Sequence, residues 1–411
     1  MKILCTGDIH AYQFTDFSKT LLTIWDEKLM RFVDITGSEG TDRWYEEHWD
    51  IDSKELSSRF FNILNALCDM RDYCILNKIN HVLVAGDLFH KRGTIEVVVF
   101  NAIYKVLNSF CDVGVTVHMI AGNHDQVDAS VIPTSSIHSF KDICHVIEKP
   151  EYFWVEDADI SNQTDKHKPE EGDAEIVAVP YSKDKEFVIN SMKELRKKCV
   201  DPEKAILMCH VGITGGTVGS GMYSMKDEYS LRDLMSNQWK YVIAGHYHQP
   251  QFLDYNAIYT GTPIQNSFGD ELKWKDGYNG FFVVDTDKRY DMQFVPIIAP
   301  RFITVSSAEE LEQYDSDYVK SNYFRIKSSA KDVEEIKDTL QDMLGEDNTQ
   351  EIRLELEKDY NVEQRSEIDV SQSFDETVRI YAKERCEDKK NIDKYVDIGL
   401  DILSEAMVGG K

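Results

Sequence analysis

The chain lacks any long apolar run, since nowhere in its 411 residues do 18 apolar residues follow one another. A membrane-spanning helix needs about 20 such residues, so no transmembrane segment is predicted. The N-terminus enters the apolar run Ile3-Leu4-Cys5 at once, without a charged region followed by a longer apolar stretch. No secretory signal is therefore predicted, and we expect a cytoplasmic protein.

Cysteine is present but is not arranged in pairs. The eight cysteines are scattered and form no C-x-x-C motif. Cys5, Cys111 and Cys209 lie within or beside apolar runs. This distribution argues against disulfides and against a cysteine zinc site, and it indicates reduced core thiols.

Basic residues are scarce, with 46 Lys and Arg against 73 Asp and Glu, which gives a net charge of −27. Contacts to DNA phosphates normally need Lys and Arg, so this charge argues against tight, independent binding of duplex DNA. Two bound divalent metals would add about four positive charges locally. A basic partner subunit could also hold DNA, and a local Lys/Arg cluster can outweigh the net charge within a Debye length of roughly 8–10 Å.

Five short polar blocks stand out against this background. Four of them directly follow a short apolar run, and one follows the mixed run 117–121. Such runs bounded by Gly are typical of buried strands. Polar residues at the C-terminal ends of several strands meet at one rim of a sheet, where α/β proteins place their sites. The blocks are Gly7-Asp8-Ile9-His10, Gly86-Asp87-Leu88-Phe89-His90, Gly122-Asn123-His124-Asp125, Cys209-His210-Val211 and Gly245-His246-Tyr247-His248.

The residue types in these blocks suit a two-metal centre. Two neighbouring divalent cations repel each other, so an anionic ligand is needed between them, and a carboxylate such as Asp87 can bridge. Imidazoles and carboxylates suit manganese, iron or zinc, and the amide oxygen of Asn123 would add a hard neutral ligand. A two-metal site stabilises the attacking and leaving oxygens of a phosphoryl displacement and lowers the pKa of a bound water.

The order of the blocks resembles the calcineurin-like metallophosphoesterase superfamily, whose motifs run D-x-H, GD, GNH[DE], H and GH-x-H. The resemblance covers roughly residues 1–300. The sequence GDLFH at residues 86–90, in place of GD-x-x-D-R-G, together with GNHD, is similar to the SbcD-type nuclease of the SbcCD DNA-repair complex. Residues 259–263 and 280–285 are also similar to the end of that catalytic domain. Bacteriophages encode recombination nucleases of this type, and a phage-encoded member in the host cytoplasm is one interpretation.

The resemblance implies a ligand set for two divalent ions, with manganese expected and magnesium as the alternative. Asp87 would bridge the two ions. The first ion would be held by Asp8, His10, Asp87 and His248, and the second by Asp87, Asn123, His210 and His246.

The resemblance also implies three catalytic residues beside the metals. His124 would protonate the leaving oxygen as a general acid. His90 would assist the site or contact phosphate, although a histidine in a turn after a strand is also often a cap or a surface residue. Asp125 would orient His124, since such a histidine usually has its other nitrogen fixed by an acceptor.

The remaining histidines fit no ligand pattern. His118 lies inside an apolar run and is predicted to be a hydrogen-bonded core histidine. No role is assigned to the other five, which are His48, His81, His138, His145 and His167.

The expected fold is an α/β metallophosphoesterase sandwich flanked by helices, formed by residues 1–300. Helical spacing of apolar residues predicts helices over 57–79 and about 95–111. A strand–helix–strand order implies right-handed crossovers and a mostly parallel sheet. Residues 13–55 are aromatic and acidic and look like a family-variable insertion, either packed on the domain by its aromatics or serving as a substrate or partner loop.

The character of the chain changes after Pro296 and Pro300. Residues 322–327, 331–344 and 350–357 suggest a strand, a helix and a strand, so residues 301–360 are predicted to form a small α+β module. In SbcD-type proteins a capping domain lies here. Residues 373–406 suggest two helices within a helical segment, 370–411, whose last apolar stripe either packs on this chain or docks on an SbcC-like ATPase.

Three functions remain open from the sequence. The first is a metal-dependent DNA exonuclease and structure-specific or single-strand endonuclease, acting in DNA break repair, recombination or replication. Its partners would be DNA and an SbcC-like ATPase, with a homodimer inside a heterotetramer. The second is a phosphatase or a small-molecule phosphodiesterase. The third is a non-catalytic scaffold, against which the complete ligand set argues, because buried polar residues are costly to keep.

Overall fold

The computed structural model describes residues 1–37, 54–127, 134–156, 169, 172–217, 229–272, 277–288, 290–329, 332–345, 352–356, 378–379, 382 and 391–408. Two six-stranded sheets form the main body, and two three-stranded sheets stand beside it. Among these residues, no helix combines the length and the apolar character that a membrane crossing would need.

The first six-stranded sheet has the strand order β15-β14-β1-β5-β6-β7. Strands β1, β5, β6 and β7 are parallel, whereas β14 and β15 join the edge in antiparallel pairings. The strands are β1 (Lys2–Thr6), β5 (His81–Val84), β6 (Thr116–Ile120), β7 (His145–Ile147), β14 (Gly280–Asp285) and β15 (Asp291–Pro296).

The second six-stranded sheet has the order β12-β13-β11-β10-β9-β8. Its centre is parallel, and both edge strands pair antiparallel. The prediction of a mostly parallel sheet is therefore confirmed, with antiparallel pairs toward the edges of both sheets. The strands are β8 (Glu151–Val155), β9 (Ala174–Val179), β10 (Ile206–His210), β11 (Tyr241–Gly245), β12 (Gln251–Asp254) and β13 (Ala257–Tyr259).

The two sheets pack face to face, as expected for the metallophosphoesterase sandwich. Apolar side chains from both inner faces form one buried cluster, with Ile3, Leu83 and Ile120 on one side and Ile206 and Ile243 on the other. Burial of such side chains contributes about 25 cal/mol per Å² of apolar surface. The central strands are apolar on both faces because helices cover the outer sides.

Two helices cover the outer face of the first sheet, α1 (Ser58–Asn77) and α2 (Val97–Asp112). They lie where helical spacing predicts them. Helix α1 begins where the side chain of Ser57 accepts a hydrogen bond from the amide of Phe60, which is the usual role of an N-cap serine. Helix α3 (Lys185–Arg196) covers the second sheet with Val188 and Met192.

Part of the predicted insertion is a small antiparallel sheet of order β3-β2-β4, with β2 (Thr20–Asp26), β3 (Arg31–Asp34) and β4 (Lys54–Ser57). Trp25 on β2 is buried against Phe32 and joins the core under α1. Three further aromatics of the insertion, Trp44, Tyr45 and Trp49, lie outside the described part of the chain.

The C-terminal third contains a parallel sheet of order β16-β17-β18, with β16 (Phe302–Val305), β17 (Tyr323–Ser328) and β18 (Ile352–Leu356). The short helix α4 (Ser316–Lys320) and helix α5 (Val333–Leu344) pack on it through Val319, Ile336 and Leu340. The predicted strand, helix and strand are thus present, and we call β16–β18 the small sheet. The last described helix is α6 (Ile392–Val408), while the helix predicted before it lies largely outside the described residues.

Candidate metal centre

The five polar blocks meet where strand ends of both six-stranded sheets lie side by side. Asp8 follows β1, Asp87 follows β5 and Asn123 follows β6, all in the first sheet. His210 ends β10 and His246 follows β11, both in the second sheet. The site is therefore built across the sandwich, from the C-terminal ends of its parallel strands.

The backbone at these strand ends is tightly constrained. Gly86 has φ of 97°, and a Cβ atom there would lie 2.4 Å from His210 Nδ1, so only glycine fits. Four predicted ligands themselves have positive φ, which costs about 1–3 kcal/mol for each residue that is not glycine and is typical of functional sites. Their φ values are 48° for Asp8, 50° for His10, 54° for Asp87 and 114° for His246.

One group of potential ligand atoms is formed by Asp8, His10 and His248, whose ligand atoms lie within 4.8 Å of one another. Both ring nitrogens of His10 are buried and have no hydrogen-bond partner within the described part of the chain. A buried polar atom without a partner is costly, and a bound metal ion would remove that cost. The carboxylate of Asp8 is held by the backbone amide of His246 at 3.0 Å from each oxygen.

Asp87 stands between this group and a second one. Its Oδ2 lies 3.6 Å from Nε2 of His10 and 3.5 Å from Nε2 of His210. Its Oδ1 accepts a hydrogen bond of 2.8 Å from the backbone amide of His124. One carboxylate oxygen thus faces both histidines, which is the position a bridging ligand requires.

The second group converges on the amide oxygen of Asn123. Its Oδ1 lies 2.9 Å from Nε2 of His210 and 3.1 Å from Nδ1 of His246. The other nitrogen of His210, Nδ1, donates to the carbonyl oxygen of Ala85 at 2.7 Å, so Nε2 keeps its lone pair. Donor atoms gathered in this way fit a divalent cation with nitrogen and oxygen ligands.

The structure therefore brings all seven predicted metal ligands to one place, and their donor atoms fit two divalent ions on either side of Asp87. Burial and neighbouring histidines keep the pKa of His10 well below its usual value, and they lower that of His246 to about 3. Both rings are neutral at pH 7 and can donate a lone pair. The division of ligands between the two ions remains a prediction.

Burial acts on the pKa values of Asp8 and His248 in opposite directions. Burial raises the pKa of Asp8 to about 6, with a further contribution from the nearby Asp87. Burial alone would lower the pKa of His248, but the carboxylate of Asp270 outweighs it and raises that pKa to about 9. His248 is therefore protonated at pH 7 in the metal-free protein, unlike His10 and His246.

His124 lies at the edge of the same site, and a ligand atom of it comes within 4.8 Å of those of His10 and Asp87. Its Nδ1 donates to the carbonyl oxygen of His90 at 2.6 Å, which leaves Nε2 as the reactive nitrogen. The ring of His90 stacks on His124 at 5.9 Å between centroids and contacts Tyr12 and Phe14.

The expectation that Asp125 orients His124 is wrong. The carboxylate of Asp125 is fully buried and accepts hydrogen bonds from the backbone amides of Gly122, Leu88 and Phe89. It therefore ties the loop after β6 to the loop after β5, and the carbonyl of His90 orients His124 instead. Burial, together with the charge of Asp87, raises the pKa of Asp125 to about 7.

Two residues at the centre were not identified from the sequence. Asp270 hydrogen-bonds to Nδ1 of His248 at 3.0 Å, and the ring of Tyr181 stacks on His246 at 6.3 Å. Neither lies in a motif block, and Asp270 is 22 residues from the histidine that it contacts. Only the tertiary structure reveals these partners.

Three other histidines form a separate group on neighbouring strands, which we call the histidine ladder: His81, His118 and His145. His118 is buried and hydrogen-bonded to both of the others, which confirms the prediction of a core histidine. His138 forms a surface pair with Glu148. His48 and His167 lie outside the described residues.

Comparison with known proteins agrees with the site. The family model described as calcineurin-like phosphoesterase matches residues 1–250. The chain is also similar to the crystal structure of a dimetal phosphatase from Danio rerio, at 10% sequence identity and a TM-score of 0.33, over 69% of this chain and 91% of that one. That structural likeness is too weak to carry an argument, whereas the family match spans more than half of the chain. The chain therefore belongs to the calcineurin-like phosphoesterase family and is a metal-dependent phosphoesterase.

Proposed function

We propose that this phosphoesterase is a DNA nuclease of the SbcD type, with exonuclease and structure-specific or single-strand endonuclease activity. The observation that carries the hydrolytic part is the position of Asp87 between two groups of ligand atoms, with His124 beside it. The choice of DNA is supported by the resemblance of the GDLFH and GNHD blocks to that nuclease type.

The residues divide the work of phosphodiester hydrolysis. Two divalent ions held by the seven ligands would supply an activated water and stabilise charge on the phosphate. His124 would give a proton to the departing sugar oxygen from Nε2, because its Nδ1 is already engaged with the carbonyl of His90. Burial lowers the pKa of His124, whereas the negative charge of Asp87 raises it. A bound anionic phosphate would act in the same direction as Asp87 and would favour the protonated ring.

Basic groups beside the centre suit a nucleic-acid backbone. Lys91 and Arg92 are exposed and directly follow His90. The ammonium group of Lys91 lies 4.3 Å from the ring centroid of Tyr12, close to its hydroxyl. Such cations would offset the net charge of −27 near the centre, because salt largely screens charges that lie more than a Debye length of roughly 8–10 Å away.

The test is digestion of end-labelled linear duplex and single-stranded DNA with manganese or magnesium, alone and with an SbcC-like ATPase. The wild type is expected to cleave with manganese, and His124→Asn to lose roughly 10²- to 10⁴-fold in rate. His138→Asn is the matched control, because His138 is an exposed histidine paired only with Glu148 among the contacts described. No cleavage by manganese-loaded protein with the ATPase would overturn the proposal.

A phosphatase or small-molecule phosphodiesterase is the alternative, and the net charge of −27 favours it. Rates on bis-p-nitrophenyl phosphate and p-nitrophenyl phosphate distinguish it from a nuclease. A rate on these esters far above the rate on DNA phosphodiesters, with the same dependence on His124, would favour the alternative.

The proposed partner is an SbcC-like ATPase that binds α6. Tyr395, Ile398 and Ile402 are 48%, 46% and 62% exposed, and their spacing places them on one side of the helix. Apolar residues at such spacing are typical of a helix that lies in a partner's groove. The variant Ile398→Asp/Ile402→Asp is expected to abolish co-purification with the ATPase, whereas Asp393→Ala should retain it.

A homodimer completes the proposed assembly. Ile75 and Leu76, at the end of α1, are exposed apolar residues that suit a second copy. Light scattering of the wild type should give twice the mass of 47.4 kDa. Leu76→Glu is expected to shift the protein toward that single-chain mass.

A further inference from the structure

A buried carboxylate outside the five motif blocks contacts the metal centre. Asp270 is 3% exposed, and its Oδ1 lies 3.0 Å from Nδ1 of His248. Because a carboxylate only accepts hydrogen bonds, Nδ1 of His248 carries the proton. Nε2 is then the nitrogen left to face the group formed with Asp8 and His10.

The orientation of this carboxylate is itself fixed. Its second oxygen, Oδ2, accepts a hydrogen bond of 2.9 Å from the backbone amide of Asn266 and a longer one of 3.4 Å from the hydroxyl of Ser267. The carboxylate is therefore held by its own turn on one side and holds His248 on the other. Acceptors placed in this way behind a histidine ligand orient its ring and strengthen it as a donor to metal.

The same turn is bonded to the small sheet on both sides of Asp270. The side-chain oxygen of Gln265 accepts from the backbone amide of Phe302 at 2.7 Å. The carboxylate of Glu271 accepts from the backbone amide of Thr304 at 3.1 Å. We call residues 265–271 the connector segment, because strand β16 is joined through it to His248.

Aromatic packing reinforces this connection. The ring of Phe268 lies 4.9 Å from that of Phe302 in an edge-to-face arrangement, and 5.3 Å from Phe17. The guanidinium of Arg325, on β17, lies 4.7 Å from the centre of the Phe268 ring. Phe268 is two residues from Asp270, so a shift of the small sheet would move both.

We propose that the connector segment positions His248 as a metal ligand, with Asp270 as the positioning residue. Metal binding is thereby coupled to the position of the small sheet. The inference rests on the metal centre of the proposed function but not on DNA as the substrate. A purely structural alternative exists, in which Asp270 serves only to close its own turn through Asn266 and Ser267.

The test of the positioning role is calorimetric titration of manganese into metal-free protein, without substrate. We expect Asp270→Asn and Asp270→Ala to weaken the affected binding step by roughly 10- to 100-fold, the alanine variant more. Asp233→Ala is the matched control, since Asp233 also accepts a backbone amide in its own turn, from Ser230. Melting temperature, measured with chelator, reports the structural role separately.

A second variant pair tests the coupling. Glu271→Ala removes a bond to β16 without touching His248, and it should weaken manganese binding by roughly 2- to 30-fold. Glu310→Ala is its control, because Glu310 accepts from Ser306 within the C-terminal module. Equal affinities for these two variants would overturn the coupling.

The asparagine variant keeps the shape of Asp270, so it tests the positioning role even if the alanine variant does not fold. Manganese affinity in Asp270→Asn within twofold of wild type, with a lower melting temperature, would overturn that role and support the structural alternative. The titration contains no DNA, so the two proposals can fail separately. A failure of DNA cleavage together with normal manganese binding would contradict only the proposed function.

Discussion

Two groups of histidines have opposite properties: the histidine ladder lies on strands of the first sheet, whereas the metal centre also includes His210 and His246 from the second sheet. The metal centre contains His10, whose two buried nitrogens find no hydrogen-bond partner among the residues that the structure describes. In the histidine ladder every ring nitrogen has a partner. His81 and His118 are joined at 3.1 Å, His118 and His145 at 3.0 Å, and the two ends meet the carbonyl of Glu156 at 3.0 Å and the carboxylate of Glu151 at 3.2 Å.

The difference follows from where each group lies along the strands. The metal-centre residues follow strand ends, where positive φ turns several side chains toward one point. The ladder residues lie within or at the start of β5, β6 and β7, where parallel pairing places His118 opposite His145 and places His81 two residues out of register with His118. Convergent donors leave lone pairs for a cation, whereas a row of rings satisfies its donors and acceptors internally.

The ladder also contains more hydrogen bonds than three neutral rings have donors. Four hydrogen bonds connect its three rings to two groups that only accept, while three neutral imidazoles carry three N–H donors. Burial and the two neighbouring histidines keep the pKa of His118 well below its usual value, so the central ring is neutral. Three neutral rings would therefore leave one of the four hydrogen bonds without a donor.

The largest effect expected from this comparison concerns Asp87. Asp87→Asn removes the bridging charge and should lower phosphodiester hydrolysis by roughly 10³-fold or more, with metal content falling below two ions per chain. Activity on bis-p-nitrophenyl phosphate and elemental analysis measure the two effects. His118→Asn should leave the metal content unchanged, and a similar loss of metal there would break the distinction between the two groups.

The next effect concerns the stability of the ladder. His118→Leu leaves ring nitrogens of His81 and His145 without their buried partner, at a cost of about 1–3 kcal/mol for each group. We expect the free energy of unfolding to fall by about 2–4 kcal/mol at pH 7.5, with or without chelator. Urea denaturation measures it, and a loss seen only in the presence of metal would contradict the separation of the two groups.

The same variant gives a smaller effect of pH. Because the pKa of His118 is lowered in the folded protein, the unfolded chain takes up a proton first as the pH falls through about 6.5. The contribution of neutral His118 to the free energy of unfolding is therefore present above about pH 6.5. It decreases below that pH, by about 1.4 kcal/mol at pH 5.5. The stability gap between wild type and His118→Leu should shrink by that amount between pH 7.5 and 5.5 in chelator, whereas a constant gap would show that the ring is charged in the fold.

The smallest effect is expected for His10 in metal-free protein. His10→Leu removes two buried nitrogens for which the described residues offer no hydrogen bond, so stability in chelator should be unchanged or higher by about 1 kcal/mol. Manganese should stabilise the wild type, by about 2.7 kcal/mol at a concentration 100 times its Kd, and the variant much less. Thermal unfolding with and without manganese measures both, and marked destabilisation of the variant in chelator would show that His10 serves the fold itself.

Much of the centre was predictable because its signals are local. Each ligand lies within four residues of a strand end, and four of the five blocks begin with a glycine, which allows the backbone to turn or another chain segment to approach, as at Gly86. The strands and helices α1, α2 and α5 follow from short-range apolar spacing in the same way. The role of Asp125 could not be predicted from local patterns, because its partners include backbone amides 36 and 37 residues away.

The sequence by itself determined the family, the ligand types and most of the elements that carry them, because these depend on short patterns of burial and donor chemistry. Only the tertiary structure decided which atoms lie within hydrogen-bond distance. It joined Asp270 to His248, gave the orientation of His124 to the carbonyl of His90, and lined up the three ladder histidines. Each of these contacts depends on the packing of segments that are distant in the chain, and no local pattern encodes a separation of about 3 Å between them.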